Sequence, residues 1–189
     1  LEDIYQSHNA SAVMRTCDCF GIQDVHIIEN KYTYSVNPDI ALGSTQWLSM
    51  ETYNGREDNT RSCLASLKEK GYLIVATTPH REDYLLSDLP LERKTALLFG
   101  TELRGLSQTA LEMADCSVRI PMVGFTESFN ISVSAAICLY DLSHRLRRSA
   151  VDWQLTGDEK MDILIRWACN VVKRPELHEK EFMKSRMRN

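Results

Sequence analysis

Short apolar runs of strand length alternate with stretches of helical period along most of this chain, and that alternation most restricts its fold. Residues 25–28 ("VHII"), a run near 47–52, "YLIVATT" (72–78), "TALLFG" (95–100) and "SVRI" (117–120) read as strands, the last stopped by Pro121. Helical patterns fall near 10–20, at 59–70, over "QTALEMA" after a Ser107 N-cap, and from about Asn130 to Arg148. Strands parted by helices predict an α/β fold with a mostly parallel sheet flanked by helices. In the long helix Ile131, Ala135, Cys138, Leu139 and Leu142 share a face. Two more helical patterns, 158–173 and 175–185, are parted by Pro175 and form a C-terminal helical extension over 151–189, set apart from a domain over 1–150. The chain opens as though already inside a strand, so a segment before Leu1 is expected.

Of the 189 residues 43% are hydrophobic, enough for one sizeable core. No run approaches the roughly 18 apolar residues of a membrane helix, and no signal-peptide pattern opens the chain, so a soluble cytoplasmic protein with no membrane partner is expected. The six cysteines show no C-x-x-C spacing and the five histidines no H-x-x-x-H pair; reduced core thiols and no metal are expected. Net charge is −4 but uneven: residues 1–140 carry 11 Lys/Arg against 18 Asp/Glu, residues 141–189 carry 11 against 8. The "RLRR" cluster (145–148) suits either phosphate contacts or a solvated, solubilising tail.

Ligands of open α/β sheets sit beyond the carboxyl ends of strands, which directs attention to four loops. These are "QSHNAS" after the opening strand, Thr77–His80, "GTELRGLS" and "PMVGFTESFNIS". In the third, Gly100, Glu102 and Gly105 match neither a dinucleotide fingerprint nor a Walker loop. They suit ordinary turns, or a backbone that a ligand can approach. Ser128 and Asn130 stand before the long helix, where they cap it or orient a hydroxyl. Arg15 falls opposite Val13, Cys17 and Phe20, and read alone is an i,i+3 partner of Asp18.

Three segments taken together go further. "HNASAVMR" with Asn9 and Arg15, "LLFGTELRGLS" with Gly100, Glu102 and Gly105, and "IPMVGFTESFNISVSAA" with Pro121, Ser128, Asn130 and Ser132 resemble, in order and separation, the three motifs of SpoU-type RNA ribose 2′-O-methyltransferases. "ALGSTQW" (41–47) and the helical tail resemble the branch that methylates guanosine-18 of tRNA. The likeness runs from Leu1 to about Arg148.

That resemblance implies a C-terminal trefoil knot around a site for S-adenosylmethionine, a homodimer, and methylation of a ribose 2′-hydroxyl in the D-loop of tRNA. Cofactor contacts then map to Thr77, Gly100, Glu102, Ile120, Met122 and Phe129, the last standing where leucine is usual. Arg15 becomes the catalytic residue, helped by Asn9, Asn130, Ser128 and Glu102, with Arg15, Ser44, Arg145 and Arg148 touching RNA. The family's arginine is held to act as a base through a substrate phosphate. A guanidinium resists deprotonation, so a second role stays open: gripping a phosphate and stabilising a developing alkoxide. Glu102 reads as fixing loop or cofactor geometry. Ribosomal RNA or a wobble nucleotide as substrate, and an RNA-binding protein of this fold without catalysis, are the alternatives; a nucleotide-dependent enzyme lacks its phosphate loop.

Overall fold

A computed structural model of the chain describes residues 1–81 and 83–186. They form two units, one over Leu1–Val151 and a second from Asp152 onward.

The first unit opens with Leu1 and Glu2 beside Ile28, after which the backbone turns at Asp3 (φ 53°). Helix α1 (Ser7–Phe20) follows and ends on Gly21 in the left-handed region. Next come β1 (Asp24–Ile28), a single turn α2 (Pro38–Ala41), a 3-10 turn at Ser44–Trp47, β2 (Ser49–Tyr53) and α3 (Asn59–Glu69). The chain continues through β3 (Leu73–Thr77), β4 (Tyr84–Leu85), a 3-10 turn at Leu86–Asp88, β5 (Thr95–Leu98), α4 (Gln108–Met113), β6 (Cys116–Arg119) and α5 (Ile131–Arg148).

Strands β4, β6, β3 and β5 lie in that order in one sheet, and β1 pairs with β2 in another, every pairing parallel. The opening residues link the two. Glu2 donates its N–H to Phe99 O (2.9 Å) just past β5, while Asp3 N–H reaches Ile28 O (2.8 Å) and Ile28 N–H reaches Leu1 O (2.8 Å) in β1. The opening segment expected as a strand thus bonds to both sheets but forms only one isolated bridge, Glu2 to Ile28, because Asp3 leaves strand geometry at φ 53°.

The period of two along each strand divides the core. Val75 joins Val13, Met14 and Cys17 of α1 and Ala135, Cys138 and Leu142 of α5 on one face. Ile74, Ala76 and Leu98 face Cys63, Leu64 and Leu67 of α3 and Ala110 of α4 on the other. The α5 residues expected to share a face are the ones the helix buries. Burial pushes the Cys17 thiol up to about 11 and that of Cys138 to about 12, so both are inert apolar fillers. All six cysteines are free, but Cys19 and Cys169 are exposed rather than in a core.

Sequence periodicity misplaced the start of α1. The segment expected as a loop through Ser11 is already helical from Ser7, because Gln6 takes the extended N-cap conformation. Asn9 consequently sits in the first turn of a helix. The second unit holds α6 (Gly157–Val171), opened by a Thr156/Glu159 capping box, and α7 (Pro175–Arg186). Among the described residues no helix is long and apolar enough to cross a membrane, and no group of three His, Cys, Asp or Glu could hold a metal ion.

Candidate functional site

Strand β3 is flanked by β5 and β6, so the loops leaving their carboxyl ends converge at one edge of the sheet. They enclose a cavity of about 250 Å³. Its wall includes Thr77 from β3, Gly100 and Glu102 after β5, Ile120 and Met122 after β6, and Ser128 and Phe129 before α5. All six residues expected around a cofactor thus line one space, joined by Ser128.

The Gly100–Leu106 loop owes its shape to its glycines. Thr101 and Gly105 exchange two backbone hydrogen bonds (3.0 and 2.9 Å), closing the loop on itself. Gly105 turns with φ +65°, and a Cβ on Gly100 would lie 2.2 Å from Gly105 O. The loop therefore folds flat against its own start and presents Glu102 at the cavity. Thr77 is partly committed: its hydroxyl donates to Leu98 O (2.7 Å), leaving oxygen lone pairs and backbone for a ligand.

Glu102 is the hub of a polar cluster. One carboxylate oxygen accepts from the amide of Asn9 (3.0 Å) and from that of Asn130. Asn130 also donates to Asn9 Oδ1 (3.1 Å), and its own Oδ1 accepts the Ser132 N–H (2.9 Å), capping α5. Asn130 therefore caps the helix while its amide is aimed at the cluster. Asn9, only 5% exposed, is held from behind by Gln6 Oε1 (2.6 Å), a contact the sequence did not signal beyond placing Gln6 in a candidate loop. Thr78, His80 and Glu127 also line the cavity, and each falls within a loop singled out from the sequence without a role of its own.

Arg15 is not brought to this cavity. It lies exposed on α1, six residues beyond Asn9, which is about 9 Å along the axis and about 120° around it. The ion pairs of the described residues do not include the expected one with Asp18.

Two of the residues expected at RNA are buried or engaged within the chain itself. Ser44 is 3% exposed in the 3-10 turn, so its hydroxyl faces the interior. The Arg145 guanidinium is already occupied: it donates to Leu86 O and Leu89 O (3.0 Å each) and to Asp141 Oδ2 (2.9 Å), cross-linking α5 to the turn after β4. Arg148 is exposed at the end of α5.

These features define a class: an α/β protein with a cavity at parallel strand ends, beside a carboxamide–carboxylate cluster. The chain belongs to the SpoU rRNA methylase family, whose model matches residues 1–140. It is 46% identical over 173 residues to the tRNA (guanosine(18)-2′-O)-methyltransferase of Borreliella burgdorferi, a match covering 92% of this chain and 78% of that one. Among solved structures it is similar to the A. aeolicus TrmH/SpoU tRNA modifying enzyme (TM-score 0.79, 32% identity, 91% of this chain and 87% of that one). The fold is shared with the SpoU methyltransferase AviRb from Streptomyces viridochromogenes, solved in complex with AdoMet (TM-score 0.64, 22% identity, 78% of this chain and 56% of that one).

Proposed function

We propose that the protein is an S-adenosylmethionine-dependent RNA 2′-O-methyltransferase acting in the cytoplasm on the ribose of guanosine-18 in tRNA. The observation that carries this is that two of the three motif segments line one strand-end cavity and the third joins them through Asn9, which like Asn130 is hydrogen-bonded to Glu102 at the cavity wall.

The cavity suits the methyl donor. Phe99, Leu106, Ile120, Met122 and Phe129 offer apolar surface to an adenine, and Glu102 and Glu127 are the carboxylates a cationic donor would face. When bound, S-adenosylmethionine supplies an electrophilic methyl on sulfur, whose departure needs no acid. The residues of this chain must then align a ribose oxygen and stabilise charge growing on it. Asn9 and Asn130 are positioned by Glu102 to fix the sugar, while Ser128 can accept or donate at the mouth.

Arg15 supplies the missing positive charge from a second copy of the chain. Its face of α1 does not meet its own cavity, and a homodimer delivers it to the partner's. Its planar fork suits a phosphate beside the target ribose, leaving the guanidinium charged. A C-terminal trefoil knot around the cofactor site is part of this proposal. Arg148 contributes to the phosphate path; Ser44 and Arg145 do not.

Incubating the protein with labelled S-adenosylmethionine and unmodified total tRNA or ribosomal RNA, then mapping the methylated ribose, tests the reading. Label at position 18 of tRNA is expected. Label confined to ribosomal RNA or to position 34 would move the substrate, and no transfer at all would overturn the activity.

A further inference from the structure

The loop after β1 carries an arrangement that core packing does not explain. Asp3 is 9% exposed and holds its backbone at φ 53°, a region ordinarily left to glycine. Its carboxylate oxygen accepts the N–H groups of Asn30 (2.7 Å), Lys31 (2.8 Å) and Tyr32 (3.4 Å). The loop is thereby pinned to the segment that enters α1, and the pinning sets the Tyr32 ring 5.1 Å from that of Tyr5, tilted by 43°. Yet neither ring is covered: Tyr5 is 43% and Tyr32 46% exposed. Backbone strain and a buried carboxylate are spent on holding two aromatic faces open to solvent.

Their position relative to the cluster says what would cover them. Gln6 Nε2 donates to Tyr5 Oη (3.1 Å), Asn9 donates to Gln6 Oε1 (2.6 Å), and the same Asn9 amide donates to Glu102 (3.0 Å). An unbroken run of side-chain hydrogen bonds thus ties the aromatic pair to the group proposed to hold the target ribose. Lys31, exposed on the pinned loop, adds a cation next to Tyr32. Resting on the proposed activity, we infer that Tyr5 and Tyr32 form a stacking surface for an unstacked nucleobase of the same RNA strand, next to the nucleotide that is methylated. Sequence-specific RNA recognition works largely on unstacked bases laid against aromatic side chains, and methylating a ribose within a loop requires such a splayed strand.

The test is equilibrium binding of a fluorescently labelled, unmodified tRNA transcript to the full chain without methyl donor. Tyr32→Ala and Tyr32→Leu are expected to weaken binding by roughly five- to a hundred-fold, the usual loss of one base–aromatic stack, while Tyr32→Phe stays close to wild type. The salt dependence of binding should be unchanged, since no phosphate contact is lost. S-adenosylmethionine affinity and sedimentation should also match wild type. Wild-type affinity in Tyr32→Leu overturns the inference, because an apolar filler would then suffice. So does an altered sedimentation coefficient in Tyr32→Ala, which would make the pair a protein contact. A wild-type protein that binds tRNA but methylates none refutes the proposed activity, while the same binding comparison still decides the stacking surface.

Discussion

Gly100 is the position where one added methyl group should tell most. A Cβ there would lie 2.2 Å from Gly105 O, 2.3 Å from Gly105 C and 2.5 Å from Leu106 N, all backbone atoms rather than a side chain that could swing aside. Reaching ordinary contact requires the two strands of the loop to part by about 1 Å, which the paired Thr101–Gly105 bonds resist. If the fold absorbs the strain, overpacking costs about 1 to 3 kcal/mol. If the loop opens instead, it loses two backbone hydrogen bonds at about 1 kcal/mol each, and the cavity loses the wall that carries Glu102. Either outcome lowers the urea midpoint of Gly100→Ala, but only the second also weakens S-adenosylmethionine binding, by at least about tenfold. Gly105→Ala is the control, since nothing lies within 4 Å of its Cβ and only the left-handed backbone, at about 1 kcal/mol, opposes it. A Gly100→Ala protein with wild-type urea midpoint and wild-type calorimetric affinity would refute this account of the loop.

Arg15→Ala should lose activity about a hundredfold or more with little change in melting temperature, because the side chain is exposed, and lysine should rescue poorly. A single-turnover rate that climbs toward alkaline pH in the wild type and shifts in the lysine variant would favour a base role over the electrostatic one. Glu102→Gln keeps an acceptor for the two asparagine amides, so chemistry should persist at a reduced rate; abolished turnover with normal cofactor affinity would show that the carboxylate does more than position. Arg145→Ala should cost about 2 kcal/mol in urea unfolding through its bonds to Leu86 O, Leu89 O and Asp141, whereas Arg148→Ala should leave stability alone and lower the salt dependence of tRNA binding. Asp115 contributes to the acid limb of stability. Burial alone would raise its carboxyl, but the Lys68 ammonium and the Ile74 N–H (2.8 Å each), with the charges of Lys68 and Arg93, hold it below the usual range. A carboxyl lowered by folding stabilises above its unfolded pKa, near about 4, and loses that contribution as pH falls through the folded value. Asp115→Asn should therefore be less stable than wild type at neutral pH, with the gap closing below about pH 4 in acid titrations of the urea midpoint.

The amino-acid order alone determined the parallel α/β class, the buried face of α5, the caps at Ser107 and Asn130, and the loops that would carry chemistry. Those features are local: periodicity, turn chemistry and capping act over a few residues, so they can be read along the chain. Short elements escaped for the same reason, because two-residue β4 and the turns at 38–41 and 44–47 have too few residues to show a period. Tertiary structure decided which polar side chains are used and by whom. Arg145 and Arg148 look alike in sequence, but one spends its guanidinium on two carbonyls from a distant turn while the other stays exposed. Asn9, Glu102 and Asn130 meet only because parallel strands carry loops from remote positions to one edge of the sheet, and Asp3 reaches across to pin a loop nearly thirty residues away. Such pairings depend on the closing of long chain segments, and nothing in a local window records which groups that closure brings within reach.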